Sequence, residues 1–393
     1  MLSHMFDKPT IMKICAIICE FNPFHNGHKY LIENVKASGL YDGVLCVMSG
    51  HFTQRGDRAI FDKFTRARHA VMGGADCIIE LPASFAVAPA EIFAQGAVKL
   101  ASSIPDVCAL AFGCEEQLDF KALARTLSDE SADFKERLMR GLDMGESYAK
   151  SYARAVEDAC GAKIDSPNNI LGLEYAKAIL EYRPDLEIMT VRRVGSGYND
   201  TKLDGNYASA SAIRAHLGEH AIYNSVPPFV ARDLPNGGED DRRWESIVRY
   251  ALTTTTADGL NAVYGCGEGL ANRLKSLQRL PLEQIILQAT GRRYPAARIR
   301  RALTANALKL TAAETENFLN GAGYIKPLAV NAARADEMLN ALSSSPYPLT
   351  ITGSDVEKLE GLNARLYAAS RLADDIWCAA CAKDIYDCTI IKV

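Results

Sequence analysis

What most constrains the fold of this chain is an alternation that repeats through its first half. Short apolar runs without internal polarity at Lys13–Glu20, Gly43–Met48, Cys77–Leu81 and Val107–Phe112 are separated by stretches with helical spacing at Gly27–Ala37, Phe61–Met72 and Ala90–Ala101. A strand that is apolar on both sides must be covered on both sides, and a helix between successive strands carries the chain back to start the next in the same direction. The pattern therefore predicts an α/β fold built on a parallel sheet with helices on both faces.

After Gly113 the character changes. Leu118–Cys160 has charged and small residues at helical spacing and reads as two or three inserted helices. Strand character returns at Leu186–Val194, and Ala208–Leu217 reads as the last helix of the sheet unit. Pro227, Pro228, Pro235, Gly237 and Gly238 mark a linker. Beyond Arg242 the pattern is helical as far as Ser343–Thr352, and a helical tail is expected up to Lys392. The expected organisation is a sheet domain over 12–225, with a helical insertion at about 118–165, followed by a helical domain over 240–393.

The 393 residues are 48% apolar, enough for more than one core. A net charge of −4 argues against a uniformly basic nucleic-acid coat, so any polyanion must meet a local patch. The 11 cysteines are an odd number and sit mostly in apolar stretches, as reduced core thiols do. The apolar run after Met12 is too short for a signal peptide, and Ala83–Leu100 is broken by Pro89, Glu91 and Lys99. A soluble, cytoplasmic protein with no membrane partner is expected.

The densest chemical signal is Glu20-Phe21-Asn22-Pro23-Phe24-His25-Asn26-Gly27-His28, between the first strand and the first helix. In parallel sheets ligands bind beyond the carboxyl ends of strands, where a following helix offers free N–H groups to an anion. Two imidazoles one turn apart can donate to a phosphate chain, and Gly27 permits close backbone approach. His-x-Gly-His at this place is the nucleotidyltransferase signature, which makes the expected sheet Rossmann-like. A helix cap or a structural metal site are the plainer alternatives, and no Cys or carboxylate clusters with the histidines to favour metal.

A second half of such a site is offered by Ser209-Ala210-Ser211-Ala212-Ile213-Arg214. Ser209 and Ser211 can cap a helix and also bond a phosphate, and Arg214 adds a planar charged fork. Alone this is a capped helix with a surface arginine; beside the histidines it reads as catalytic.

Together with Met48-Ser49-Gly50-His51-Phe52-Thr53-Gln54-Arg55-Gly56, Glu80-Leu81-Pro82, Phe112-Gly113-Cys114-Glu115 and Ser166-Pro167-Asn168-Asn169-Ile170-Leu171-Gly172, these motifs resemble the bacterial tRNA(Met) cytidine acetate ligase family over most of the chain. The resemblance implies a two-step ligase. ATP and acetate would give acetyl-adenylate, and the acetyl group would pass to N4 of the wobble cytidine, C34, of elongator tRNA(Met). It places ATP along Ile18, Glu20, Phe21, Asn22, Pro23, Phe24, His25, Asn26, Gly27, His28 and Leu31, against Gly113, one of Asn168 and Asn169, and one of Arg192 and Arg193, with Asn168 and Arg193 preferred. Locally Asn168 is equally a cap for the helix after it, and Gly113 ends a strand where a side chain would collide with a nucleotide. Cys114 departs from the smaller or hydroxyl residue usual there. His25, His28, Arg214, Ser209 and Ser211 would serve catalysis, with Mg²⁺ carried on the ATP phosphates and no protein metal site. The donor-rich loop Met48–Lys63 would hold acetate or a ribose phosphate through Gln54 and Arg55.

In the helical half, Arg273, Lys275, Arg279, Arg292, Arg293, Arg298, Arg300 and Arg301 have only Glu283 as a nearby acid. With Tyr294 among them, Arg292, Arg293, Arg298, Arg300 and Arg301 read as a tRNA-binding patch, the plainer alternative being a solvated face. Cys378, Cys381 and Cys388 lack a complete zinc set, and Ile376, Trp377 and Ile385 make a buried helix face the better reading. No obligatory protein partner is expected. Two other functions fit parts of the pattern: an adenylyltransferase acting on a phosphorylated coenzyme precursor, and a non-catalytic RNA-binding protein with a relic nucleotide pocket.

Overall fold

The computed structural model describes residues 12–128, 132–146, 148–161, 164, 166–194, 205–238, 241–384 and 390–393. The strands are β1 (Ile14–Cys19), β2 (Gly43–Ser49), β3 (Cys77–Leu81), β4 (Val107–Cys114), β5 (Glu187–Arg192), β6 (Pro327–Val330) and β7 (Ile391–Lys392). They form one sheet in the order β5-β4-β1-β2-β3-β6-β7. The first five run parallel, β6 lies antiparallel to β3, and β7 lies parallel to β6.

The apolar runs become strands for the reason their composition implies. Every residue of β1 and β2 is buried, and β1 divides its side chains between the two faces. Ile14, Ala16 and Ile18 enter a core shared with the helices Ala90–Ser102 and Pro167–Tyr182, while Cys15, Ile17 and Cys19 enter one shared with Asn26–Ala37 and Lys63–Met72. The insertion resolves into three helices, Phe120–Ser128, Ala132–Asp143 and Tyr148–Cys160, which add Phe120, Ala124, Leu127, Phe134 and Tyr152 to the first core.

Three expectations change. The helical half supplies two strands, because Pro327–Val330 docks on the free edge of β3 with Cys77 opposite Val330, and β7 then caps that edge. The tail helix ends at Cys381, and the expectation of helix between 385 and 389, with Cys388 and Ile385, lies outside the described residues. The proline-rich linker is folded onto the sheet unit: Pro228 starts the short helix Pro228–Ala231 at a position that needs no N–H, and Val230 and Leu234 are buried.

A third core gathers the helices Asp241–Thr254, Leu270–Leu277, Leu282–Ala289, Ala296–Ala307 and Gly361–Cys381 around fully buried Trp377. Phe52 and Val87 from the sheet half reach into it, so the loop after β2 is wedged between the two halves.

Candidate active site

Strand order fixes where a ligand can sit. The chain lays β2 and β3 on one side of β1 and then returns to lay β4 and β5 on the other, so the connections diverge between β1 and β4 and leave a crevice at their carboxyl ends. A cavity of about 180 Å³ lies there, open on one side and floored by Ile18–Phe21, Phe112, Gly113 and Val191–Val194.

His25 is the N-cap of the helix Asn26–Ala37, and its Nδ1 accepts the Gly27 N–H at 3.0 Å. His28, one turn on, reaches back so that its Nδ1 accepts the His25 N–H at 3.2 Å. The two rings stack with centroids 3.6 Å apart. Burial, together with Arg193 and Arg214, pushes His25 down to about 3, and burial, His25 and Arg193 hold His28 well below its ordinary value. Both rings are therefore neutral, and with Nδ1 accepting, the hydrogen must sit on Nε2 of each. The arrangement makes two imidazoles into oriented donors.

Gly27 serves the histidine more directly than any ligand, since a Cβ there would stand 2.9 Å from the His25 ring. Gly113 lines the cavity, but a Cβ on it would press on the Arg193 side chain at 3.3 Å, so it leaves room for the arginine. Asn168 lines the cavity and donates to the Glu115 carboxylate at 2.5 Å, whereas Asn169 is buried and accepts the Glu115 N–H. Ser166, not Asn168, is the N-cap residue of that helix. Both Arg192 and Arg193 line the cavity, and Arg193 lies 3.7 Å from Glu115.

Ser209 caps its short helix by accepting the Ala212 N–H, and Ser211 and Arg214 line the cavity beside it. Arg214 donates to the Asn22 carbonyl at 2.6 Å, which ties this helix to the histidine loop. Glu20 accepts the Gln54 N–H at 2.5 Å, and burial raises its pKa. Ile18, Glu20, Phe21, Asn22, His25, Gly27, His28, Leu31, Gln54 and Arg55 all face the same space. Pro23, Phe24 and Asn26 do not line it. Phe24 is fully buried against Gly73 and Phe229, and Asn26 donates to the carbonyls of Asn206 and Asn224.

Sequence reasoning missed the apolar and aromatic walls: Tyr30, Phe93, Phe112, Leu171, Tyr175 and Tyr207, together with Thr53 and Asp57. A signal for two of them was available. Leu171 and Tyr175 stand three and seven residues after Asn168 on one helix, hence on the same face.

Behind the loop lies a second charged cluster, buried from solvent. Lys63 Nζ bonds Glu80 at 2.6 Å and Asp374 at 2.7 Å, His51 Nδ1 bonds Asp374 at 2.7 Å, and Lys326 lies 3.4 Å from Glu80. Burial holds His51 below its ordinary value, so the neutral ring donates to Asp374 and stacks on Trp377. Burial works to raise Asp374, but Lys63 and His51 outweigh it and keep the carboxyl ionised. Arg66, buried nearby, donates to the carbonyls of Glu20, Ser49 and Gly50.

Of the proposed RNA-binding arginines, Arg292, Arg293 and Arg300 are exposed. Arg298 bonds the Gly265 carbonyl and the Glu268 carboxylate, and Arg301, on the helix Ala296–Ala307, turns toward the loop after β2 and donates to the Gln54 carbonyl at 3.4 Å. Burial and its neighbours Arg298 and Arg55 bring Arg301 down to about 10. Gly56, at φ +81°, fits against this helix because a Cβ would fall 2.5 Å from the Arg301 nitrogen, and Thr304 donates to its carbonyl. Cys378 and Cys381 are buried on their helix, and among the described residues no three His, Cys, Asp or Glu side chains meet in a way that could hold a metal ion. Nor, among them, is any helix long and apolar enough to cross a membrane.

The family model for HIGH nucleotidyl transferases matches residues 12–387. A tRNA(Met) cytidine acetate ligase of Thermoanaerobacter sp. (strain X514) is 31% identical over 388 residues, covering 94% of this chain and 96% of its own. One of Clostridium novyi (strain NT) is 40% identical over 311 residues, 74% of this chain and 78% of its own. Two crystal structures of Thermotoga maritima TmcAL, one apo and one bound with alpha-thio ATP, share the fold with TM-scores of 0.89 and 0.86 at 24% identity, each covering 97% of this chain and all of theirs. The chain belongs to the HIGH nucleotidyl transferase family and, within it, to the tRNA(Met) cytidine acetate ligases.

Proposed function

We propose that this chain activates acetate with ATP to acetyl-adenylate and transfers the acetyl group to N4 of the wobble cytidine of elongator tRNA(Met). The observation that carries this reading is the stacked His25/His28 pair, whose Nε2–H donors share one cavity with Arg193 and Arg214. In the first step an acetate oxygen attacks the α-phosphorus and pyrophosphate leaves. The charge gathering on the leaving oxygens is met by preorganised neutral donors and fixed guanidinium groups, which need little reorganisation as the reaction proceeds.

Adenine and ribose are assigned to the inner walls, with Asn168 and Arg193 at their edge and Phe112, Leu171 and Tyr175 supplying apolar surface. Gln54 and Arg55 are assigned to acetate. Mg²⁺ would travel on the phosphates, since among the described residues the carboxylates lining the cavity are Glu20 and Asp57, and Glu20 is committed to the loop. RNA is assigned to the exposed arginines Arg292, Arg293 and Arg300, with Arg298 and Arg301 in supporting positions beneath them. The division of labour follows: a sheet unit over 12–225, with β6 and β7 completing its edge, for activation and the helices of 240–393 for RNA, in the cytoplasm.

Pyrophosphate release from ATP, measured with and without acetate and tRNA, tests the reading. Release that needs acetate and acetyl transfer that needs tRNA are expected. Release that needs a phosphorylated small molecule would show an adenylyltransferase, and no ATP turnover under any condition would leave only RNA binding.

A further inference from the structure

The loop after β2 separates two concavities. Beyond the cavity just described lies a groove of about 960 Å³, bounded by Gly56–Ile60, the Leu217–Gly238 segment and the helices Asp241–Thr254, Leu282–Ala289 and Ala296–Ala307. Asp57 and Arg214 line both spaces, so the groove leads to the place where the activated acyl group would form. Arg58 and Arg300 stand on its walls, and Arg300 belongs to the helix assigned to RNA. Arg58 is paired with Asp241, and a strand of RNA held on that helix by Arg300 would have the groove as its way to the cavity.

The second step has a chemical requirement that the histidines and arginines do not meet. An exocyclic amine on a cytosine ring must lose a proton as it acylates, and neutral Nε2–H imidazoles with occupied Nδ1 atoms, like guanidinium groups, are donors only. Among the described residues two carboxylates line the cavity. Glu20 is held by the Gln54 N–H. Asp57 stands at the junction, with Arg300 Nε 3.8 Å away, which balances its charge at a distance too long for a hydrogen bond.

We propose that the groove admits the target cytidine and that Asp57 receives its N4 amine and accepts its proton. A carboxylate is the natural acceptor for the cytosine N4 donor. As N4 attacks the acetyl carbon of acetyl-adenylate, the new C–N bond forms and the C–O bond to phosphate breaks. AMP leaves with that electron pair, and the N4 proton passes to the Asp57 carboxylate and from there to solvent. This role rests on the reading given under Proposed function.

The test uses the full chain with ATP, labelled acetate and tRNA, following acetyl-adenylate and acetylated tRNA separately. Asp57→Asn keeps size and shape, and melting temperature checks the fold. It is expected to form acetyl-adenylate within about threefold of the parent and to accumulate it, while acetyl transfer falls by roughly 10²–10⁴. Asp57→Glu should recover part of the transfer. Transfer at the parental rate in Asp57→Asn, or equal loss of both steps in a folded variant, would overturn the assignment. A parent that forms no acetyl-adenylate would refute the activation reading itself, and Asp57's role with it.

Discussion

Two histidine-bearing clusters flank the loop after β2, and they use the same residue types to opposite ends. At the cavity, His25 and His28 spend Nδ1 on backbone N–H groups and keep Nε2–H as a donor facing an open space. Behind the loop, His51 spends Nδ1 on Asp374, stacks on Trp377 and sits buried among Lys63, Glu80 and Lys326, none of which lines that cavity. What separates a binding histidine from a structural one is therefore the direction of its ring hydrogen and the presence of a space for a ligand. Burial alone does not separate them, because His25 and His51 are both almost completely buried.

Removing one member of the buried cluster should have the largest effect. Asp374→Ala leaves Lys63 with one fewer carboxylate and His51 without its acceptor, and should cost about 3–5 kcal/mol of stability in denaturant unfolding. The rate of the first step per folded molecule should stay near the parent's. A rate loss that outruns the stability loss would mean the cluster acts on the site.

The open cluster should respond the other way. His25→Asn keeps a good capping residue and removes the Nε2 donor, and His28→Ala removes the second donor; each should lower acetate-dependent pyrophosphate release on the order of a hundredfold. Thermal stability should change little. Unchanged release in both would remove these rings from the phosphate chain.

A pH series sharpens the contrast. His25 has a folded-state value of about 3, against an ordinary value of 6.5 when unfolded, so the unfolded chain binds the extra proton first. Its contribution is present in full above about pH 6.5 and is lost progressively as pH falls toward 3, amounting to about 2 kcal/mol by pH 5. His25→Asn should flatten that part of the stability profile; an unchanged slope would show that the ring protonates without penalty.

The smallest effect on activation is expected far from the cavity. Arg292→Ala with Arg293→Ala should leave acetyl-adenylate formation intact, weaken tRNA binding and reduce the log–log salt slope by roughly one unit for each phosphate no longer neutralised. Parallel salt lines with equal midpoints would show these arginines to be a solvated face. Arg301 is left out of this variant because its burial against Gln54 and Gly56 would confuse loop packing with RNA binding.

The five parallel strands and the placement of the histidine loop were legible because their signal is local: an apolar run, a polar loop, a helical period. β6 was not. Four residues embedded in a helical stretch become a strand only because β3, some 250 residues earlier, offers a free edge, and no local pattern reports such a partner. Within the motif, residue types named the loop but not the direction of its side chains. Phe24 and Asn26 fold the loop while Phe21 and Asn22 face the cavity. The arginine run showed charge density, yet Ala296–Ala307 turns Arg301 inward and Arg300 outward, a distinction set by the loop packed against that helix.

Activation in the sheet half and RNA binding in the helical half meet in one product, which nucleoside analysis detects. tRNA incubated with the protein, ATP and isotopically labelled acetate is digested and its nucleosides are weighed by mass spectrometry. A labelled acetyl group is expected on cytidine, confined to the wobble position of elongator tRNA(Met) and dependent on ATP. Consumption of ATP and acetate with no label in any nucleoside, or label on a different nucleoside, would contradict it.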